Sequence, residues 1–228
     1  MHILLTGASG MVGQAALAAC RQDDRVAQVT AVVRSPLGIA GDKVRELVCP
    51  DLFDIAGIAN QLGTPDACLF CAGVSSVGMS EADYRRATYD LTLAVATVLV
   101  GINPAMHFLY VSGAGTDSTE KGRSMWARVK GSTENALAKL GFAGVALFRP
   151  GYIQPLDGVR SKVAWYNALY AVLKPFYPFV KRVAGKYATD TGTLGRAMLA
   201  AVQPNVPTAI YESADINRIG ALPGLGNP

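Results

Sequence analysis

The sequence predicts an α/β protein in which a doubly wound, mostly parallel sheet is flanked by helices. Short, continuously apolar segments alternate with longer segments of helical period over the first 150 residues. Strands of this kind are buried on both faces, as in a parallel sheet covered by helices. The chain has 228 residues, half of them hydrophobic, which suffices for one sizeable core. We therefore expect a single Rossmann-like domain over residues 1–228.

The predicted elements follow one another from the amino terminus. Apolar runs predict strands at residues 2–6, 29–33, 44–48, 67–72, 106–112 and 145–149. Helical patterns cover residues 11–21, 51–62, 81–101 and 123–140. After residue 150 prolines interrupt the pattern, and we expect a helix at 191–202 and a strand at 209–212. The chain thus divides into a core of about residues 1–150 and a small C-terminal lobe of about residues 151–228.

Composition and charge narrow the function classes. Charged residues make up 17% of the chain, and the net charge of +4 is spread over single or paired basic residues. This distribution is not typical of a nucleic-acid surface and fits an anionic small molecule. The longest apolar stretch, 91–102, is too short to cross a bilayer, and no leader is visible before the first strand. We expect a cytoplasmic protein with no transmembrane segment and no nucleic-acid partner.

Four cysteines are present, and two of them, Cys68 and Cys71, have CxxC spacing within an apolar, strand-like run. A zinc site would need a second pair or nearby histidines. The two histidines of the chain, His2 and His107, match no such pattern. We therefore expect reduced, buried cysteines and no metal site.

A glycine-rich loop, LLTGASGMVG at 4–13, joins the first strand to the first helix. Such a loop directs backbone N–H groups and a helix N-terminus to one point, which suits a pyrophosphate. We expect Gly7 to permit the tight turn, Gly10 to let the phosphates approach, and Gly13 to let the helix pack on the strand. Since the loop lies in a βαβ unit, it predicts dinucleotide binding. The residues concerned are Gly7, Ala8, Ser9, Gly10, Met11, Val12 and Gly13.

Arg34 and Ser35 directly follow the second predicted strand. An acidic residue at this point binds the ribose hydroxyls of NAD(H), whereas an arginine accommodates the 2′-phosphate of NADP(H). The sequence therefore predicts that NADP(H) is preferred over NAD(H).

Together these segments resemble the short-chain dehydrogenase/reductase superfamily, in particular its atypical or extended branch of NAD(P)-binding epimerase-like proteins and the Tat-interacting-protein oxidoreductase group. The matching segments run in family order: TGASGMVG (6–13), VVRS (32–35), DLFD (51–54), CAG (71–73), YVSGAG (110–115), ARVKGSTENAL (127–137), LFRPGYI (147–153) and TDTGTLGRAML (189–199). The resemblance implies an adenine site at Asp51 and Leu52. It implies further cofactor contacts at Ala72 and Gly73 and a nicotinamide site at Pro150, Gly151 and Ile153.

The resemblance also implies a catalytic Ser, Tyr and Lys, with the last two one helical turn apart. Ser112 and Lys130 match this pattern, but Trp126 stands at the tyrosine position, four residues before Lys130. An indole N–H is a donor only and cannot pass a proton back and forth, as the phenol does. Lys130 would still bind the cofactor ribose.

Two functions follow. The first is an NADP(H)-dependent oxidoreductase or epimerase-like enzyme acting on a small carbonyl or sugar-like substrate. The second is a catalytically weak or inactive NADPH-binding sensor or regulatory protein. Tyrosines that could replace the missing acid are Tyr84, Tyr89, Tyr152 and Tyr166, most of which we expect to be core or surface aromatics. The aromatic segment 165–182 is expected to wall the substrate pocket, with a homodimer, another protein or a membrane surface as alternative partners.

Overall fold

The computed structural model describes residues 1–156, 187–203 and 207–222. The aromatic segment 165–182 and Tyr166 lie outside these residues. The strands are β1 (His2–Thr6), β2 (Gln28–Val33), β3 (Val44–Val48), β4 (Ala67–Phe70), β5 (His107–Val111), β6 (Gly144–Arg149), β7 (Tyr152–Gln154), β8 (Ala188–Asp190) and β9 (Ala209–Glu212). The helices are α1 (Met11–Gln22), α2 (Ala59–Leu62), α3 (Glu81–Arg85), α4 (Leu91–Ile102), α5 (Met125–Leu137), α6 (Thr191–Ala200) and α7 (Ser213–Gly220).

Seven of the described strands form one sheet in the order β3-β2-β1-β4-β5-β6-β9, and all neighbours in it are parallel. The chain first winds outward from β1 through β2 to β3, and then returns to the other side of β1 with β4. In register, Leu4 of β1 lies between Thr30 and Cys68. The strand order therefore reverses between β1 and β4, where an α/β sheet opens a ligand crevice at its carboxyl edge. This arrangement confirms the predicted Rossmann-like fold.

Apolar side chains cover both faces of the sheet. Ile3 and Leu5 of β1 point to a core shared with α1 and α6, whereas Leu4 points to a second core shared with α4 and α5. This explains why β1 has no polar alternation, because each of its faces is covered by helices. The helical layers fix the carboxyl ends of the strands, from which the site is built.

Several features of the fold differ in detail from the sequence prediction. The helix expected at 51–62 is a 3₁₀ helix at Leu52–Ile58 that leads into the short α2. The helix expected at 81–101 is divided, since a π-helical turn at Arg86–Asp90 separates α3 from α4. The hydroxyl of Thr92, in the first turn of α4, donates to the carbonyl oxygen of Thr88 in the π-helical turn at 2.6 Å, and it competes there with the helical backbone bonds. In addition, β7 and β8 form a second, two-stranded parallel sheet. Each of these strands has three residues, which is too short for a periodic pattern.

In the parts of the chain that the structure describes, no helix combines the length and the apolar character that a membrane crossing requires.

Candidate functional site

A cavity of about 550 Å³ opens at the carboxyl edge of the sheet, at the reversal of strand order. This size is ordinary for a small-molecule or cofactor site. Its walls come from the loop after β1 (7–10), the end of β2 and its turn (32–35 and 37), the turn after β3 (50–53), the segment after β4 (71–74), and Ala87 and Leu91.

Many residues predicted to bind a cofactor line this one cavity: Gly7, Ala8, Ser9, Gly10, Arg34, Ser35, Asp51, Leu52, Ala72 and Gly73. Met11, Val12 and Gly13 form the first turn of α1 directly behind it. The other predicted residues stand outside the described lining: Ser112, Trp126, Lys130, Pro150, Gly151 and Ile153. The structure therefore brings together residues predicted to bind the phosphates and the adenosine, and the residues predicted to be catalytic or to border the nicotinamide are not part of the lining.

Two of the three loop glycines are required by close backbone contacts. Gly7 has φ +72°, and a Cβ there would lie 2.5 Å from the carbonyl carbon and oxygen of Cys71. A Cβ at Gly13 would lie 2.1 Å from the Gly7 carbonyl oxygen. At Gly10 the nearest atom to such a Cβ is the same oxygen, at 3.3 Å. The fold thus excludes side chains at Gly7 and Gly13, while Gly10 keeps the cavity side of the loop open.

The N-terminus of α1 faces the same cavity without a capping side chain. Gly10 is the N-cap residue, no side chain caps it, and the first turn holds no acidic residue. The first N–H groups of a helix have no intrahelical partners, and they carry the positive end of the helix dipole. This end of α1 is therefore suited to bind an anion.

The cavity walls also carry apolar side chains that the sequence analysis did not identify, and one of them, Phe53, lies in the turn after β3. Asp51 accepts a hydrogen bond from the backbone N–H of Phe53 at 3.0 Å, which fixes the turn after β3. The Phe53 ring lies 5.4 Å from the Arg86 guanidinium. Leu37, Phe53 and Val74 line the cavity and stay partly exposed. Exposed apolar side chains beside a cavity are typical of a binding site. The hydrophobic pattern that predicts buried strands does not identify such residues.

The Ser112 hydroxyl belongs to a buried polar network. It donates to Glu134 Oε1 at 2.6 Å and has the Phe148 carbonyl oxygen as a second acceptor at 3.1 Å. Glu134, which is 1% exposed, forms an ion pair with Arg149. Since both neighbours of the hydroxyl are acceptors, its single proton stays inside the protein. Ser112 can accept a further hydrogen bond, but its donor capacity is engaged.

Arg149 connects this network to other parts of the sheet edge. Its guanidinium donates to Ser118 Oγ at 2.6 Å, and its Nη1 lies 3.6 Å from Glu212 Oε1. Hydrogen bonding to Glu134 raises the pKa of Arg149 above its usual value. The guanidinium therefore stays charged and neutralises the buried carboxylate of Glu134.

Lys130 lies next to this network on α5. Its Nζ donates to the Val111 carbonyl oxygen at 3.0 Å and lies 5.0 Å from the centroid of the Tyr110 ring. Burial lowers the pKa of Lys130 to about 8, and the negative charge of Glu134 acts against this shift. The side chain is thus held at the end of β5, and it loses its proton at a lower pH than an ordinary lysine.

The Trp126 ring lies against the loop after β5. A Cβ at Gly113 or Gly115 would begin 3.8 Å and 3.7 Å from the indole. Among the other aromatic acids considered, Tyr84 is buried, and the Tyr152 hydroxyl donates to Gln154 Oε1 at 2.7 Å. The ring of Tyr89 lies 4.0 Å from the Arg85 guanidinium.

The shifted pKa of Lys130 predicts a pH dependence of stability. The folded state holds this proton less tightly than the unfolded chain, so the unfolded state binds more protons between pH 8 and pH 10.5. Stability should therefore rise with pH over this window, relative to the variant Lys130→Met. Urea unfolding of both proteins at pH 7.5 and pH 10 measures the difference (pH values at about the ends of that window). A constant difference between the two proteins would contradict the burial of the charge.

The cysteines do not form a metal site in the described residues, which hold no group of three His, Cys, Asp or Glu side chains able to bind one. Cys20, Cys49 and Cys68 are buried, and Cys71 is partly exposed. Cys71 also lines the cavity, and burial raises the pKa of its thiol.

Comparisons with known proteins identify the relatives of this chain. The curated protein "Leucinostatins biosynthesis cluster protein T" of Purpureocillium lilacinum is 30% identical over 123 residues, which are 52% of this chain and 45% of that protein. The chain thus spans less than half the length of this relative. The Bordetella bronchiseptica enzyme WbmH, solved in complex with NAD⁺, superposes with a TM-score of 0.64 at 15% identity, covering 100% of this chain and 83% of that one.

A further solved structure, the UDP-glucose 4-epimerase of Thermotoga maritima with UDP-glucose, gives a TM-score of 0.64 at 16% identity over 93% of this chain and 77% of that one. At such identities these two structures show the shared fold. The likeness to the Tat-interacting-protein group stays a prediction. The model of the NAD dependent epimerase/dehydratase family matches residues 3–123, which contain the glycine loop and every described wall of the cavity. The chain therefore belongs to the NAD dependent epimerase/dehydratase family.

Proposed function

We propose that the chain is an NADP(H)-binding oxidoreductase or epimerase-like protein that acts on a small carbonyl or sugar-like substrate. The observation that carries the proposal is the cavity in which the uncapped N-terminus of α1 and the exposed Arg34 meet. The N-terminus of α1 suits the pyrophosphate of a dinucleotide, and Arg34 suits a 2′-phosphate.

The residues present fit such a cofactor. Gly10 and the first turn of α1 would hold the pyrophosphate, and Arg34 and Ser35 the 2′-phosphate. The adenine would lie by Asp51 and Leu52. Ala72 and Gly73 would lie close to the cofactor at the end of β4. Further along, Lys130 would bind the nicotinamide ribose, and the segment of Pro150, Gly151 and Ile153 would border the ring. When bound, the nicotinamide supplies or accepts the hydride.

The proposed preference for NADP(H) predicts the behaviour of Arg34→Asp. This variant replaces the positive charge by a negative one at the cavity wall, so NADPH should bind at least about tenfold more weakly. The affinity for NADH, which has no 2′-phosphate, should change less than about twofold. Titration calorimetry measures both. Lys121→Asp makes the same charge change at an exposed residue outside the described lining and serves as the control. Equal losses for the two nucleotides would refute the role of Arg34.

A second candidate function, an NADPH-binding sensor or regulatory protein, is favoured by two observations. Trp126 cannot exchange a proton, and the proton of Ser112 is engaged by Glu134. Trp126 can donate a hydrogen bond but cannot transfer its proton to a substrate oxygen, and the Ser112 hydroxyl has no free hydrogen to donate to that oxygen. Lys130 is the remaining group among those predicted to be catalytic.

One assay separates the two functions. The protein is mixed with NADPH and a panel of small aldehydes, ketones and keto-sugars, and the absorbance of the reduced nicotinamide is followed. Turnover that disappears in Lys130→Ala supports the enzyme. NADPH binding without turnover in the wild type, together with turnover gained by Trp126→Tyr, supports the sensor, because the variant restores a titratable phenol one turn before Lys130.

The division of the chain belongs to the same proposal. Residues 1–150 would form the cofactor-binding core, and residues 151–228 the substrate side. The family membership and the glycine loop within residues 3–123 support the first part of this division.

A further inference from the structure

The turn that carries Arg34 and Ser35 is held by a carboxylate from the neighbouring strand. Glu46 lies on β3, in register with Ala31 of β2. Its carboxylate accepts hydrogen bonds from the backbone N–H groups of Leu37, at 2.8 Å, and of Ile39. These donors also hold the pKa of Glu46 below its usual value. A segment without helical structure is thereby fixed to the edge of the sheet.

The same turn is also held from α1 and at its far end. The Arg21 guanidinium donates to the Ile39 carbonyl oxygen, so that both polar backbone groups of Ile39 are bound. The Ile39 side chain packs against the core that lies below α1. Beyond it, Gly41 and Val44 exchange backbone hydrogen bonds of 3.0 Å and 2.9 Å. Among these contacts, the hydrogen bond from the Leu37 N–H to Glu46 involves the residue nearest in sequence to Arg34.

Leu37 connects this attachment to the cavity. Its backbone N–H is bound by Glu46, and the residue itself forms part of the cavity wall together with Arg34 and Ser35. The Arg34 side chain is long and exposed, and it can adopt many conformations. The position of its backbone therefore determines whether its guanidinium can reach a 2′-phosphate. A turn released from Glu46 would leave the guanidinium spread over many positions.

We propose that Glu46 is a positioning residue for nucleotide selectivity, which holds the 34–39 turn so that Arg34 and Ser35 meet a 2′-phosphate. This inference rests on the proposed preference for NADP(H). For the change in NADPH affinity when Glu46 is removed, positioning and simple electrostatics predict opposite signs. Removal of a negative charge near the cavity would by Coulomb attraction alone strengthen the binding of the more anionic nucleotide. Loss of positioning weakens it.

The test compares Glu46→Ala and Glu46→Gln with the wild type by titration calorimetry, using NADPH and NADH. Asp42→Asn, an exposed carboxylate of the same loop, is the control. In Glu46→Ala we expect NADPH to bind about tenfold more weakly and NADH to change less than about twofold. Glu46→Gln should lose less, since an amide oxygen still accepts one of the two N–H bonds. Asp42→Asn should keep the wild-type ratio of affinities.

A second readout needs no nucleotide. Limited trypsin digestion should cut after Arg34 several-fold faster in Glu46→Ala than in the wild type, at unchanged global stability. An unchanged or increased NADPH-to-NADH selectivity in Glu46→Ala would overturn the inference, as would equal losses for both nucleotides. If the wild type itself shows no preference for NADPH, the proposed selectivity fails, and the trypsin experiment still decides whether Glu46 holds the turn.

Discussion

Alanine at Gly13 is expected to lower the free energy of unfolding by about 3 kcal/mol and to remove nucleotide binding. A methyl group at this position would lie 2.1 Å from the carbonyl oxygen of Gly7, well inside the contact distance. Neither atom can move alone, because Gly7 is itself packed against the backbone of Cys71. The first turn of α1 must therefore shift away from the loop, and the N–H groups that face the cavity shift with it.

Urea unfolding and titration calorimetry with NADPH measure the two effects of Gly13→Ala. The matched control is Gly57→Ala, since nothing lies within 4 Å of a Cβ at Gly57. Gly10→Val gives the complementary result, because its Cβ would meet one atom at 3.3 Å while its methyl groups occupy the space of the phosphates. We expect Gly10→Val to keep most of the stability and to lose the nucleotide. Wild-type stability in Gly13→Ala would disprove the close packing of α1 on the loop.

Methionine at Arg149 is expected to lower the free energy of unfolding by about 3 kcal/mol. The variant leaves the carboxylate of Glu134, which is 1% exposed, without the guanidinium that neutralises it. The Ser112 hydroxyl still donates to that carboxylate, but one neutral hydrogen bond does not offset a buried charge. Chemical denaturation at neutral pH measures the loss.

The double variant Glu134→Gln/Arg149→Met should recover more than half of this loss, because it removes both charges together. The control is Arg218→Met. Its partner is Asp215 in an exposed pair, so the change should cost less than about 0.5 kcal/mol. If Arg149→Met is no more destabilising than Arg218→Met, the buried network does not contribute to stability in the way described.

The sheet could be predicted from the sequence because its strands carry their own signal. β1, with three apolar residues between His2 and Thr6, is buried on both faces, as are β4 and β6. The glycine loop was equally visible, since Gly7 and Gly13 have no side chain for reasons of local backbone contact. In both cases the determining contacts lie within or next to the segment that the pattern covers.

The chemistry around Ser112 could not be predicted, because it depends on distant partners. Glu134 lies 22 residues away along the chain and Arg149 a further 15. Only the packing of α5 against the ends of β5 and β6 brings them together. One signal was available, since Glu134 follows Lys130 by one helical turn and must lie on the same face of α5. An acidic residue on a helix face that packs against a sheet indicates a buried partner of opposite charge.

The anchoring of the turn after β2 was hidden for a similar reason. The sequence identified Arg34 and Ser35 at a strand end, but the pattern of the predicted strand 44–48 does not distinguish Glu46. Its role follows from the parallel register of β3 on β2, which periodicity does not specify.

The proposed function and the proposed role of Glu46 both require that the cavity between the glycine loop and the ends of β2, β3 and β4 binds a pyridine dinucleotide. Calorimetric titration of the wild-type chain with NADPH, repeated with Gly10→Val, tests this most directly. We predict one NADPH per wild-type chain with a Kd below about 1 mM, and no binding to the variant. Absence of heat from the wild type with NADPH and with NADH at millimolar concentration, or equal binding by the variant, would contradict the account.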